Sequence, residues 1–274
     1  MKDVLEEILA HKRMEIAGLD TPSLRRAAEH SAQPRDFRSA IARRPGKNGS
    51  QVGFQPSLIA ELKRTSPSKG MLAPQIDLFE AAKIYSDNGA SAISVLTDEK
   101  YFLGNLQTLY DLRFVHRTTL PLLRKDFILS EAQLYEARAS GADAVLLITA
   151  AVPDDYQLAE LYALALELGL SPLIEVHNEN EVDRALRLHE VHLVGINNRD
   201  LATFKVSLTT TERLRPIIPP GITVVSESGI FSQEEVKRLA RENVDAILVG
   251  EALITASNIA AKVRELAGEN MQEV

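Results

Sequence analysis

The chain has 274 residues, 45% hydrophobic and 25% charged, which suits a folded protein with a sizeable core and excludes a disordered chain. Its 38 acidic against 31 basic residues give a net charge of −7, which argues against a general nucleic-acid or anionic-membrane surface and leaves a small anionic substrate open to local positive charge. With no cysteine there is no disulfide, thiolate metal site or cysteine nucleophile, and with no apolar run long enough to span a bilayer the expectation is a cytoplasmic protein.

Residues 1–50 carry two helical patterns, 4–16 and 24–30, then a polar patch over 43–50. They read as a helical extension joined by a flexible segment to the remainder of the chain. From residue 57 onward, apolar runs bounded by turn residues alternate with amphipathic stretches. In chain order the spacing predicts a strand over 57–64, a helix over 77–88 and strands over 90–97 and 121–127. A helix over 131–140, a strand over 142–150, a helix over 155–168, a strand over 171–177 and a helix over 179–189 come next. Strands over 192–198 and 223–228, a helix over 233–243, a strand over 245–250 and a helix over 258–267 complete the series. Gly89, Gly141 and Gly169 mark helix stops ahead of strands.

Eight β-α units in about 220 residues predict a closed (β/α)8 TIM barrel, in one domain over 1–274 whose first 50 residues are the extension. The competitor is an open doubly wound sheet, but no Gly-x-Gly-x-x-Gly comes after the first strand.

On the first strand Ile59, Glu61 and Lys63 share a face, since side chains at i and i+2 project together, while Leu58, Ala60 and Leu62 form the opposite apolar face. Barrel enzymes place their chemistry at the C-terminal ends of the strands. There this chain puts Glu61 and Lys63, Arg124-Lys125-Asp126, Glu175 and His177, Asn197-Asn-Arg199-Asp200, and Ser226-Glu227-Ser228-Gly229. Singly each has an ordinary reading: a solvated lysine, a buried paired acid at Glu175, a hydrogen-bonded structural His177, turn chemistry at Asn197 and a cap at Asn198-Arg-Asp. Together, barrel closure brings Glu61, Lys63, Lys125, Glu175, Asn197 and Glu227 to one mouth, where acids and lysines tune one another for acid–base work. Ser228-Gly229-Ile230 and Gly250-Glu251-Ala252, after strands 7 and 8, stand where barrels commonly bind phosphate through backbone N–H groups.

Six ordered motifs then carry a resemblance: Ile59-Ala-Glu-Leu-Lys-Arg-Thr-Ser-Pro-Ser-Lys-Gly70, Leu96-Thr-Asp-Glu-Lys-Tyr-Phe102, Arg124-Lys-Asp-Phe127, Leu173-Ile-Glu-Val-His177, Gly195-Ile-Asn-Asn-Arg-Asp-Leu201 and Ser226-Glu-Ser-Gly-Ile230. With them the chain resembles the indole-3-glycerol phosphate synthase family of tryptophan biosynthesis. The resemblance implies a barrel with an N-terminal helical extension. It also implies a lyase that closes, decarboxylates and dehydrates 1-(2-carboxyphenylamino)-1-deoxyribulose 5-phosphate without cofactor or metal.

It implies Lys125 as general acid, Glu175 as stabiliser or proton-transfer partner, Glu61 orienting the lysines, Lys63 as substrate contact and second acid or base, and Asn197 in the catalytic set. Asn197 and Arg199 would handle the anthranilate polar groups, Arg199 offering a bidentate fork to the carboxylate. Glu227, Ser228, Gly229 and Gly250 would bound the ribulose-phosphate end, Phe102 would wall the aromatic ring, and Ser66 lies in a loop, 66–70, expected to close over the substrate. Expected partners are this small phosphorylated substrate alone, with neither nucleic acid nor membrane, in a monomer or weak homodimer. Three positions depart from the family pattern: Glu251 where some members have a phosphate-contacting serine, Leu103-Gly104 for Gly-Gly, and Thr65 for a second basic residue. Two other readings stay open, an aldolase-like barrel using Lys125 as a Schiff-base nucleophile and a catalytically silent barrel serving as a scaffold or ligand-binding subunit.

Overall fold

The Val-, Ile-, Leu- and Ala-rich runs become eight strands: β1 Ser57–Leu62, β2 Ala92–Leu96, β3 Leu122–Lys125, β4 Ala144–Ile148, β5 Ser171–Val176, β6 Leu193–Asn197, β7 Thr223–Glu227 and β8 Ala246–Val249. This computed structural model describes residues 4–45, 54–66, 70–71, 76–200, 203 and 205–268. All eight strands pair in parallel in the order β6-β7-β8-β1-β2-β3-β4-β5, and β5 pairs back onto β6 to close the barrel. Each lies inside its expected window, trimmed at the ends where the chain leaves the ladder for the mouth or floor. Almost every strand residue is buried, because a parallel strand has the barrel interior on one side and helices on the other. The open-sheet alternative is thereby removed.

The helices begin at side-chain caps that the sequence supplies: Asp77, Asp154, Asn178, Ser232 and Asn258 each accept a hydrogen bond from a first-turn N–H. Three connections differ from expectation. Between β2 and β3 no helix is expected, yet Glu99–Phe102 and Leu106–Tyr110 are helical and run on into a π-helical turn, Asp111–Val115. A π turn adds a residue to the 3.6-residue period, so the apolar stripe changes phase and the pattern fades. After β6 the helix is short, Thr209–Leu214, since three threonines favour it weakly and Pro216 comes next. After β8 a separate turn of helix, Glu251–Ile254, precedes Ile259–Ala267.

The extension wraps the barrel from mouth to floor. Its first helix, α1 (Val4–Ile16), lies over the mouth, where Lys12 Nζ sits 2.9 Å from Asp98 and 3.0 Å from Asp126, in the loops after β2 and β3. The second, α2 (Thr21–Glu29), starts earlier than expected because Asp20 caps Ser23 N–H and Pro22 fits the first turn. It packs on the helix Glu131–Ala139, whose Arg138 donates to the carbonyls of Ser31 and Ala32. The third, α3 (Phe37–Ala40), lies beneath the strand starts. There Arg35 N–H donates to Asp143 at 2.6 Å, Arg38 donates to Thr223 and Gly221, and Phe37 and Ile41 are wholly buried. Much of the polar patch 43–50 lies outside the described residues. No helix among those described is long and apolar enough to cross a membrane.

Candidate active site

At the C-terminal ends of the strands a cavity of about 430 Å³ opens. Glu61, Lys63, Phe102, Lys125, Glu175, Asn197, Arg199, Glu227, Ser228, Gly229 and Gly250 all line it. Of the expected cover 66–70, residues 67–69 and the Ser66 side chain lie outside the described residues. The alternation on β1 explains Glu61 and Lys63: the strand ends at Leu62, Glu61 points inward, and Lys63, one step beyond, folds back to pair with Glu61 Oε1 at 2.9 Å.

Lys125 ends β3, and its Nζ stands 3.7 Å from both Glu175 Oε2 and Glu227 Oε2. Burial alone would drive the ammonium to lose its proton, but Glu175, Glu227 and Glu61 together outweigh burial and raise its pKa. Glu175 is also buried, which favours its neutral form; Lys125, His177 and the Asn197 amide win and hold it below the usual carboxylate range. Glu61 is lowered in the same way, burial yielding to Lys63 and Lys125. Glu227 goes the other way, pushed up to about 8 by burial and by the charge of Glu175, and among the described residues neither of its carboxyl oxygens has a hydrogen-bond partner. One mouth therefore holds a fixed ammonium, a fixed carboxylate and a carboxyl group poised to exchange a proton, an arrangement suited to acid–base catalysis.

The raised pKa of Glu227 has a cost in stability. Between its ordinary 4.5 and about 8 the folded protein binds the proton more tightly than the unfolded chain, so stability falls as pH rises through that window. Glu227→Gln removes the titration. Its melting temperature is expected to match wild type near pH 4.5 and exceed it at pH 8, by about 2–4 °C for each kcal/mol relieved. Scanning calorimetry at both pH values checks this; a gain at the lower pH only would contradict the assignment.

Register fixes the opposite wall. Asn197 pairs with Glu227 at the last rung of β6 and β7, and Gly195 pairs with Glu175. Asn197 Nδ2 donates to Glu175 Oε1 at 3.1 Å, while its Oδ1 accepts from Ser228 Oγ at 2.9 Å and Arg199 N–H at 3.0 Å. The buried Asn198 amide ties the next loop down: its Nδ2 donates to Ser226 Oγ and the carbonyls of Glu227 and Ser228, and its Oδ1 accepts from Thr211. That clamp holds Ser228 at φ +68, with Gly229 at +81 after it.

Two further glycines make room. A Cβ on Gly250 would come within 2.5 Å of Glu61 Oε1, and one on Gly195 would collide with Glu227 Oε1. The position of Gly195 within an otherwise apolar strand was the available signal for its role.

The apolar side of the cavity is walled by Phe102 and Phe127, ring centroids 6.1 Å apart, with Leu96 and Ile148. Val4, Leu5 and Ile8 of α1 also line it, and nothing in that helical stripe distinguished it from ordinary packing. The two loop departures find physical reasons. Thr65 Oγ1 donates to the Phe102 carbonyl at 2.8 Å, joining the loops after β1 and β2. Gly104 packs so closely on the Leu96 carbonyl that no Cβ fits, while the exposed Leu103 takes φ +49. Glu251 lines the cavity beside Gly250. Glu251→Ser is expected to lower KM for a phosphorylated substrate about 3–10-fold at low salt with kcat unchanged, a gain that shrinks as salt screens the charge. Steady-state kinetics at two ionic strengths measures it.

Among the described residues no cluster of three or more His, Cys, Asp or Glu side chains is disposed to hold a metal ion. A parallel eight-stranded barrel whose mouth gathers Lys125, Glu175 and Glu227 around an aromatic-walled cavity defines an acid–base enzyme of the (β/α)8 class. A family model described as indole-3-glycerol phosphate synthase matches residues 5–266. The indole-3-glycerol phosphate synthase of Roseiflexus castenholzii is 47% identical, across 98% of this chain and 99% of that one. That of Dehalococcoides mccartyi is 52% identical across 78% of this chain and 82% of its own. The chain belongs to the indole-3-glycerol phosphate synthase family, carboxy-lyases of tryptophan biosynthesis. Among solved structures, 3-hexulose-6-phosphate synthase from Salmonella typhimurium superposes with a TM-score of 0.62 at 16% identity, over 77% of this chain and 96% of that one. At that identity the likeness speaks for the fold alone.

Proposed function

We propose that the mouth converts 1-(2-carboxyphenylamino)-1-deoxyribulose 5-phosphate to indole-3-glycerol phosphate, CO2 and water. The observation that carries the reading is Lys125 Nζ set between Glu175 and Glu227 at 3.7 Å from each, facing a cavity apolar on one side and glycine-lined on the other.

The aromatic ring lies between Phe102 and the α1 roof, its carboxylate toward Arg199 and Asn197, and the phosphate reaches the backbone of Ser228, Gly229 and Gly250. The ring carbon bearing the carboxylate attacks the ribulose ketone, and the carbonyl oxygen takes a proton from Lys125 as the C–C bond forms. The positive charge left on the ring nitrogen is stabilised by the Glu175 carboxylate. Breaking the C–CO2 bond returns its electrons to the ring. The hydroxyl then departs as water, protonated by Lys125 or Lys63, and a proton lost from the adjacent carbon to Glu227 completes the indole. Glu61 keeps Lys63 in place.

The reading supports one domain over 1–274, since α1 lines the site and α3 fills the floor. We extend the reading to a monomer or weak homodimer, in keeping with a mouth whose described lining belongs to one chain. The cysteine-free composition favours the cytoplasm.

The test is direct, because the chain has no tryptophan and the indole product fluoresces against little protein background. Adding the substrate should produce indole fluorescence; none from the wild type would sink the proposal. Borohydride trapping with substrate separates the Schiff-base reading, which alone leaves a reduced adduct on Lys125.

A further inference from the structure

His177 takes no part in the proposed chemistry, yet it sits directly behind Glu175. Its Nε2 is 3.2 Å from Glu175 Oε1 and its Nδ1 is 2.9 Å from Glu181 Oε2, on the helix Glu179–Leu186. Glu181 is itself held: Oε2 accepts from the His177 backbone N–H at 2.9 Å and lies 2.8 Å from Thr149 Oγ1, and Oε1 accepts from Asn178 Nδ2 at 2.7 Å. Nδ1 is hydrogen-bonded to Glu181, whose ionised carboxylate only accepts, so it carries a proton; Nε2 makes no hydrogen bond among the described residues and meets Glu175 Oε1 as an ion-pair contact, which favours a second proton there.

Resting on the reading of Glu175 as the partner of Lys125, we propose that His177 is a positioning residue: as an imidazolium bridging Glu175 to Glu181, it occupies Glu175 Oε1 and leaves Oε2 to face Lys125. Asn197 Nδ2 donates to Oε1, and among the described residues Oε2 has no hydrogen-bond partner. The charged groups around this pair are Lys125 from β3, Glu227 from β7, Glu61 from β1, Lys63 just beyond β1, and Glu181. Arg184, on the same helix as Glu181, is engaged with Asp155 and the carbonyls of Thr149 and Val152. Burial favours the neutral imidazole, but Glu175 and Glu181 outweigh it and push the pKa up to about 10.

Two measurements test the bridge. In the wild-type enzyme, 15N NMR of the His177 ring should show both nitrogens protonated at pH 8; a neutral imidazole there would overturn the proposal without any variant. In His177→Gln, with folding checked by circular dichroism, kcat is expected to fall about tenfold with KM changed less than about twofold. The acid limb of the kcat profile should move up by about one pH unit, since Glu175 has lost its nearest cation on that side. Adding Glu181→Gln to that variant should return part of the shift by removing the stranded carboxylate. An unmoved acid limb in His177→Gln, together with an inactive Glu175→Gln, would overturn the positioning role alone. Wild-type turnover by Glu175→Gln would overturn it together with the underlying reading of Glu175.

Discussion

Lys125→Ala is expected to lower kcat for indole formation by about 10²–10⁴-fold, the usual worth of a positioned general acid, with KM changed far less. Lys63, which also lines the cavity, is held at 2.9 Å by Glu61 and stands beyond β1 rather than between Glu175 and Glu227, so it is badly placed to substitute. The informative companion is Lys125→Arg. A guanidinium keeps the positive charge between the two carboxylates, but it does not release a proton at any pH at which the protein folds. If Lys125 acts only as a charge, Arg restores much of the rate; if it transfers a proton, Arg restores stability and leaves kcat near that of Ala. Single-turnover kinetics with indole fluorescence separates the two. Equal turnover by wild type and Ala would remove Lys125 from the mechanism while leaving the reaction assignment standing.

Parallel strands buried on both faces read as unbroken apolar runs, which is why β1 to β8 could be placed within a few residues from sequence. Their closure also converts scattered polar strand ends, Glu61, Lys125, Glu175, Asn197 and Glu227, into neighbours. What could not be read depends on contacts between distant segments. Val4, Leu5 and Ile8 look like any amphipathic stripe until the helix is seen to lie across the mouth. His177 could be recognised as hydrogen-bonded, but not as set between two acids at once. The π-helical turn Asp111–Val115 hid a helix by shifting its phase. Lys12, in a stretch rich in charge, carried every sign of a solvated lysine.

Lys12 is 3% exposed, and that burial gives Lys12→Met a large expected effect on stability. Its ammonium bridges Asp98 and Asp126, both buried, and pairs with Glu15. Burial weakens the ammonium, but Asp126, Glu15 and Asp98 outweigh it and raise the pKa, so Lys12 stays charged. Methionine matches the length and removes the charge. Asp126 would retain Arg124, the Thr97 hydroxyl and the Phe127 N–H, whereas among the described residues Asp98 would keep only the first-turn N–H groups of Tyr101 and Phe102 on Oδ1.

Stranding a buried carboxylate costs about 3–5 kcal/mol, against about 0–1 kcal/mol for an exposed pair such as Lys83 with Asp87, which serves as the control. Asp98→Asn in the Lys12→Met background should recover part of the loss, because the amide oxygen still caps the helix and no charge remains to be stranded. Urea denaturation of wild type, Lys12→Met and the double variant would show the loss and its partial recovery.

Function should move with stability. Asp98 caps the helix that carries Phe102, Asp126 comes directly after Lys125, and α1 brings Val4, Leu5 and Ile8 to the cavity, so a loosened α1 should raise KM more than it lowers kcat. A stability loss under about 1 kcal/mol with KM unchanged would show that α1 is held by its apolar face alone, leaving Lys12 a passenger in the ion cluster.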